Sequence, residues 1–200
     1  MAVRPSWTPD QTAARVLTLA ALLCFTWVTG SVWAAWRVQS AYGQFLDSGA
    51  AAGPAPFVQG LPTDRIGRIE IPRLGLHAIV LSGADPLILR VAVGHVDGTA
   101  WPGESGHAVL AAHRDTFFRP LKDARVGDTV WFRSRAGEWR YEVAAIRIVR
   151  PRDVHVVDAA LAPMLSLVTC YPMTYIGPAP LRLVVQAKPV GSDGMVNAAP

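Results

Sequence analysis

The chain has 200 residues, a hydrophobic fraction of 51% and a formal net charge of +4. Once an N-terminal anchor is subtracted, this length leaves one domain of ordinary size with a single hydrophobic core. The basic residues are scattered among acidic ones without a run of five like charges, a pattern that excludes a typical nucleic-acid-binding surface. We therefore expect no nucleic-acid partner.

An uncharged apolar stretch, residues 16–36, is the first feature along the chain. At 1.5 Å per residue it makes a helix of about 30 Å, the thickness of a hydrocarbon core. Arg15 and Arg37 bracket it, and Trp33 and Trp36 fall near its outer end, where aromatic belts lie. We predict an uncleaved transmembrane anchor. A cleaved signal peptide is the alternative, although its apolar region is usually shorter.

Flanking charges predict the orientation of this anchor. The short tail at residues 1–15 carries Arg4 and Arg15, whereas Arg37 alone lies close to the other end. Since positive charges favour the cytoplasmic side, the N-terminus is expected inside the cell and the domain outside. This predicts a single-pass protein of the bacterial cytoplasmic membrane with an extracytoplasmic domain.

Composition divides the rest of the chain into three parts. Residues 37–64 are predicted to be a stalk or linker, rich in Gly, Ala and Pro in its second half, although the helix could continue through residues 37–48. Residues 65–188 form the predicted domain, and residues 189–200 a small, polar and flexible tail.

The predicted domain consists mainly of short β-type runs separated by Gly and Pro, with helical signal only in short pieces. This pattern predicts a mainly β fold, either a barrel or a sandwich. The runs are Arg68–Ile71, His77–Leu81, Gly106–Ala112, Thr129–Phe132, Trp139–Val143, Ala145–Val149, Leu165–Thr169 and Leu181–Val185, and the helical pieces are Pro86–Val93, Phe117–Lys122 and Ala159–Leu165.

Cys170 is the only cysteine outside the first 30 residues, and it ends an apolar run just before Pro172. A strand end beside a proline-containing loop can expose a thiol for reaction, although a buried structural thiol is the commoner fate of a lone cysteine. Cys24 lies in the apolar segment, so we expect no disulfide within the domain. A single thiol also cannot form a cysteine-rich zinc site, and we expect neither a metal nor a cofactor.

Two further residues could assist chemistry at this thiol. His113 follows an apolar strand and can carry a proton near neutral pH. Arg182 lies within an apolar strand, where it either pairs with an acid such as Asp115 or stabilises an oxyanion. Arg114 and Asp115 are interpreted as a local ion pair that orients the loop. These groups meet only if the strands of His113 and Arg182 both lie beside that of Cys170.

Four segments together resemble the sortase family, most closely class D sortases or their relatives in Gram-negative bacteria. The similarity spans about residues 66–187. The segments are Gly94-His-Val-Asp-Gly-Thr-Ala-Trp-Pro-Gly-Glu104, Ala111-Ala-His-Arg-Asp-Thr-Phe-Phe-Arg119, Ser166-Leu-Val-Thr-Cys-Tyr-Pro172 and Pro180-Leu-Arg-Leu-Val-Val185. The resemblance implies an eight-stranded β-barrel with short helices, in which Cys170 is the nucleophile, His113 the acid/base and Arg182 the oxyanion-binding or substrate-binding cation.

The resemblance also implies a reaction and its partners. A sortase cleaves a sorting signal of the Leu-Pro-x-Thr type near the C-terminus of a secreted protein and transfers the acyl group to an amine of the cell envelope. Thr169 would help to position this substrate. The stretch before the cysteine resembles the apolar wall of the substrate groove, which would be formed by Val154, Val156 and Val157, unless these are core residues.

Three other functions remain open at this point. A cysteine peptidase would use Cys170 and His113 with water as the acceptor. A different cysteine transpeptidase could cross-link peptidoglycan without a Leu-Pro signal. A membrane-tethered domain without catalysis would bind a secreted partner only.

Overall fold

The computed structural model describes residues 11–48, 54–153, 164–175, 177–191 and 194–198. The chain forms two compact units, residues 1–34 and residues 35–200. A long helix, α1 (Gln11–Asp47), runs through the boundary between them.

In the first unit, the described residues of α1 expose large apolar side chains on all sides. Leu17, Phe25 and Trp27 are each about two-thirds exposed or more, at 70%, 67% and 69%. A helix that is apolar all round needs an apolar environment to cover it. Among the described residues, α1 is the one helix whose length and composition allow it to cross a membrane.

The second unit is built on a closed β-barrel. Its elements after α1 are β1 (Ile66–Ile71), β2 (Leu76–Ser82), α2 (Pro86–Val91), β3 (Val93–His95), β4 (His107–Ala111), β5 (Thr129–Ser134), β6 (Gly137–Val149), β7 (Met164–Tyr171), β8 (Leu181–Pro189) and β9 (Met195–Ala198), with short 3₁₀ helices at Pro72–Leu74 and Arg119–Asp123. The strand order is β5-β1-β2-β3-β4-β7-β8-β6, and pairing of β5 with β6 closes it into eight strands. The predicted eight-stranded barrel is confirmed.

Alternation of apolar side chains places the core inside this barrel. On β7, Leu165 and Leu167 are fully buried in the main core cluster, together with Leu110 of β4 and Val185 of β8. Closure leaves β1 to β8 without an unpaired edge, so each strand buries one face inside.

Two details of the strands differ from the sequence prediction. The runs at 139–143 and 145–149 belong to one strand, β6, because a bulge between Val143 and Ala145 shifts the register without breaking the pairing to β8. The short strand β3 was not predicted, since three residues are too few for a periodic signal. Of the predicted helical pieces, the one at 86–93 is α2 and the one at 117–122 is a 3₁₀ helix; residues 159–163 lie outside the described part.

Residues 37–47 of the predicted stalk continue helix α1, as the sequence allowed, but they pack against the domain and are not a free linker. Val38, Tyr42 and Leu46 recur every four residues on one face of α1 and are 3%, 0% and 8% exposed. The Gln39 side chain donates to the Val91 carbonyl at 2.9 Å and accepts from the Ile79 amide at 2.8 Å. The end of α1 is therefore part of the folded body. The sequence did not reveal this packing because only three apolar side chains, spaced four residues apart, make the contact.

Ion pairs strengthen the same packing. The Arg68 guanidinium binds both carboxylate oxygens of Asp47, at 2.8 and 3.0 Å, and donates to the Gly43 carbonyl at 3.1 Å. Its proximity lowers the pKa of Asp47, chiefly through this hydrogen bond. A bidentate pair of this kind is geometrically specific, so it fixes the last turns of α1 against β1.

The C-terminal tail predicted to be flexible contains a strand. In β9, Met195 and Asn197 pair with Trp139 and Glu138 of β6, which adds a ninth strand to the sheet. The Arg140 amide also donates to the Gly194 carbonyl at 2.7 Å. Backbone pairing of this kind depends little on side-chain type, which is why a small and polar composition did not reveal it.

A buried carboxylate braces the barrel at the start of β5. Asp128 is 6% exposed, accepts hydrogen bonds from Nε and Nη2 of Arg73, and accepts the Arg125 amide at 2.8 Å. The Arg73 hydrogen bond is the main reason that the pKa of Asp128 lies below its ordinary value. This cluster ties the turn after β1 to the loop that leads into β5.

Candidate active site

The sheet order brings the three strands of the predicted site together. β7, which carries Cys170, lies between β4 and β8. Cys170 and Arg182 are directly opposite one another in the antiparallel β7–β8 ladder. On the other side, Ala111 is level with Val168 in the parallel β4–β7 ladder, so His113 follows two residues later, as does Cys170. The strand adjacency that the sequence left open is present.

The pairing also determines which side of the barrel carries these groups. Leu165, Leu167 and Thr169 alternate with Ser166, Val168 and Cys170 along β7, and the leucines face the main core. Val168 belongs instead to a separate cluster with Val109 and Val184. Side chains on one strand alternate between faces, so Cys170 and its opposite partner Arg182 lie on the outer face of the barrel.

The groups at this end of the sheet are open to solvent to different degrees. His113 is exposed, whereas Cys170 and Arg182 are half-buried. A thiol that is partly accessible can reach and attack a peptide carbonyl, which a fully buried thiol cannot. The exposure that the sequence predicted from the strand end is therefore present at Cys170.

Thr169, the predicted substrate-positioning residue, is buried in the barrel. Its side chain is 2% exposed, and its hydroxyl donates to the Ala112 carbonyl at 2.7 Å. The Ala112 amide in turn donates to the Val168 carbonyl at 3.3 Å. The residue that precedes His113 is thus fastened to β7 from both of its backbone groups. Thr169 therefore contacts the barrel itself, and its side chain lies on the opposite face of β7 from that of Cys170.

The Arg182 guanidinium binds backbone and not a carboxylate. Its Nη1 donates to the carbonyls of Ala179 at 3.1 Å and Leu181 at 2.9 Å. Within the described residues no ion pair joins it to Asp115. The cation is held beside Cys170, and no carboxylate of the described residues neutralises it, which is the condition for stabilising an oxyanion.

Arg114 is a residue of this site that sequence reasoning misplaced. Its Nη2 donates to the Tyr175 carbonyl at 2.5 Å and to the Gly177 carbonyl at 3.1 Å. The ion pair with Asp115 that we expected is not seen among the described residues. The sequence does place an arginine directly after the candidate catalytic histidine, which is a signal for a role at the site. Its partners could not be predicted, because the loop that it contacts lies about 60 residues away along the chain.

Two other histidines of the described residues, His95 and His107, have local partners. His95 is 6% exposed, and its Nε2 lies 2.9 Å from the Ala100 carbonyl oxygen. His107 Nε2 lies 2.8 Å from Ser166 Oγ. His77 is exposed, and His155 lies outside the described part. These contacts account for His95 and His107 as structural residues.

The remaining features are metal binding and the predicted substrate groove. The predicted groove residues Val154, Val156 and Val157 lie outside the described residues. Within the part of the chain that the structure describes, no group of three or more His, Cys, Asp or Glu side chains could hold a metal ion.

Comparison with known proteins points to one family. The family model for the Sortase domain matches residues 69–190. Sortase D of Bacillus subtilis (strain 168) is 34% identical over 125 residues, which are 62% of this chain and 63% of that protein. The chain thus spans slightly less than two thirds of the length of this curated relative.

Solved structures agree with this similarity. The Sortase D5 transpeptidase of Clostridium perfringens has 29% sequence identity and a TM-score of 0.58, covering 64% of this chain and 81% of that one. Sortase C-1 of Actinomyces oris has 30% identity and a TM-score of 0.57, covering 62% and 73%. Sortase A of Corynebacterium diphtheriae, at 24% identity and a TM-score of 0.60, shares the fold over 81% and 83%.

Proposed function

Because this chain belongs to the sortase family, we propose that it is a membrane-anchored cysteine transpeptidase. Its substrate would be a secreted protein with a C-terminal sorting signal of the Leu-Pro-x-Thr type, and its acceptor an amine of the cell envelope. Helix α1 would anchor it in the cytoplasmic membrane with the barrel on the extracytoplasmic side. The observation that carries the proposal is the β4-β7-β8 order, with Cys170 opposite Arg182.

In the first half-reaction, the Cys170 thiolate attacks the carbonyl carbon of the scissile peptide bond. A carbon–sulfur bond forms, and the negative charge that develops on the carbonyl oxygen is stabilised by Arg182. As the carbon–nitrogen bond breaks, the protonated imidazole of His113 gives its proton to the leaving amine. The product is a thioester between Cys170 and the secreted protein.

In the second half-reaction, an acceptor amine replaces the leaving group. His113, now neutral, takes a proton from the amine while the nitrogen attacks the thioester carbon. The carbon–sulfur bond breaks, a new amide bond forms, and Cys170 leaves as the thiolate. Cys170 and His113 are then back in their starting protonation states, since the proton given to the leaving amine is replaced by one from the acceptor amine, and no cofactor is needed for the balance.

The test uses the full-length protein in detergent micelles with a Leu-Pro-x-Thr signal peptide and a primary amine. We expect an amide between the N-terminal peptide fragment and the amine, and a thioester adduct at Cys170 that Cys170→Ala abolishes. Hydrolysis without an amide product would favour a cysteine peptidase. Cleavage that survives in Cys170→Ala would contradict the proposed nucleophile, and binding without cleavage would favour a non-catalytic domain.

A further inference from the structure

The loop between β7 and β8 is fastened at two places by arginine side chains. It begins directly after Tyr171 and ends directly before Leu181, so both of its ends adjoin the Cys170–Arg182 pair. At its C-terminal end, Arg182 binds the Ala179 and Leu181 carbonyls. Near its middle, Arg114 binds the carbonyls of Tyr175 and Gly177. Nothing in the reaction outlined above requires the second contact.

Arg114 comes from the segment that presents His113. The Ala112 carbonyl accepts the Thr169 hydroxyl, the Ala112 amide is held by Val168, and the His113 carbonyl accepts the Phe118 amide at 3.2 Å. The next residue therefore has a well-defined backbone position. From there the guanidinium crosses to the β7–β8 loop, so one side chain joins the histidine segment to the loop that follows the cysteine.

The Arg114 contact has the chemistry of a clamp, by which we mean a side chain that holds two segments of the chain together. An arginine that donates to two carbonyls makes charge-assisted hydrogen bonds, which are shorter and stronger than neutral ones. The Nη1 atom of Arg114, however, is buried and has no hydrogen-bond partner among the described residues. Burying an unpaired donor costs free energy, so packing alone does not account for an arginine here.

We propose that Arg114 is a positioning residue, which holds the β7–β8 loop against the His113 segment and so sets the geometry of His113 relative to Cys170. This inference rests on the proposed transpeptidase function. It assigns to Arg114 no contact with the substrate. Without this contact, His113 should shift relative to Cys170 while the barrel stays folded. A displacement of about 1 Å costs about 100-fold in rate.

The experiment compares Arg114→Met, Arg114→Lys and Arg119→Met in the full-length protein in micelles, with the signal peptide and primary amine. Methionine keeps apolar length but has no donor, whereas the lysine ammonium can donate to both carbonyls. Arg119 is exposed on the same segment and serves as the matched control. We expect kcat of Arg114→Met to fall about 10- to 100-fold with KM within about threefold, and Arg114→Lys to recover most of that loss.

Three results would overturn the inference. One is a kcat for Arg114→Met within twofold of the Arg119→Met value. Another is a loss that appears in KM and leaves kcat unchanged, which would make Arg114 a substrate-binding residue. The third is an Arg114→Lys variant as impaired as Arg114→Met. If Arg114→Met does not fold, Arg114→Gln against Arg119→Gln gives the same comparison. Failure of the proposed function is separate, since the wild-type protein would then form no amide product.

Discussion

The Thr169 hydroxyl donates a 2.7 Å hydrogen bond to the carbonyl of Ala112, the residue that precedes His113. Thr169 in turn precedes Cys170. The bond therefore joins the two backbones one residue before each candidate catalytic group. Because Thr169 is 2% exposed, water cannot replace its hydroxyl as a donor.

We predict that Thr169→Val lowers both stability and activity. Valine has nearly the same shape but leaves the Ala112 carbonyl without its side-chain donor, which should cost about 1–3 kcal/mol of unfolding free energy. The measurement is urea unfolding, followed by kcat for transfer of the signal peptide. Thr169→Ser restores the donor and should recover most of kcat. A Val variant with wild-type kcat would show that this bond does not control the position of His113.

Arg182→Lys should reduce kcat although the positive charge remains. The Arg182 Nη1 atom is already shared between the Ala179 and Leu181 carbonyls, so the other guanidinium nitrogens are the ones that can serve an oxyanion. A lysine has a single nitrogen for all of these contacts. We expect a loss of about 100-fold in kcat, the usual effect of removing one oxyanion donor. Arg147→Lys, on the exposed part of β6, is the control. Equal activity of the two variants would argue against an oxyanion role.

Asp128→Asn should destabilise the barrel near neutral pH. The folded state lowers the pKa of Asp128, mainly through its hydrogen bond to Arg73, so the carboxylate stabilises the fold above its ordinary pKa of about 4. That contribution is lost as the pH falls below this value through the lowered pKa. We expect a loss of about 2–3 kcal/mol at pH 7 that shrinks in acid.

The control for this experiment is Asp123→Asn, since the Asp123 carboxylate is exposed and forms its ion pair with the neighbouring Lys122. Its effect should stay below about 1 kcal/mol. Chemical unfolding of each protein at several pH values gives the comparison. If the two variants lose the same stability at pH 7, Asp128 does not brace the barrel as described.

Tyr42→Ala should test whether the end of α1 belongs to the folded body. The Tyr42 side chain is fully buried, so its removal leaves a large cavity and should cost about 3–5 kcal/mol. Trp36→Ala, at a site 64% exposed, should change stability far less. Thermal unfolding in micelles measures both. Equal melting temperatures of the two variants would show that residues 37–47 do not pack against the domain.

Much of the local structure followed from the sequence. The apolar span at 16–36 is long enough for a membrane-crossing helix, and alternation and turn residues marked most of the barrel strands, because these signals depend on neighbours within a few residues. The prediction was weakest where the sequence signal was short or depended on a partner elsewhere in the chain. β3 has three residues, β9 is held by backbone pairing, and the packing of Tyr42 needs a partner surface that its own helix does not reveal.

The chemical identity of the site was likewise determined by the sequence, since Cys170, His113 and Arg182 are the residues whose side chains can supply a nucleophile, a proton carrier and a fixed cation. That the strands which carry or lead to these residues are neighbours was decided only by the tertiary structure. Pairing of β7 with β4 joins segments more than 50 residues apart, and such pairing depends on register and closure of the whole barrel. The same holds for Arg114, whose carbonyl partners become its neighbours only when the barrel closes.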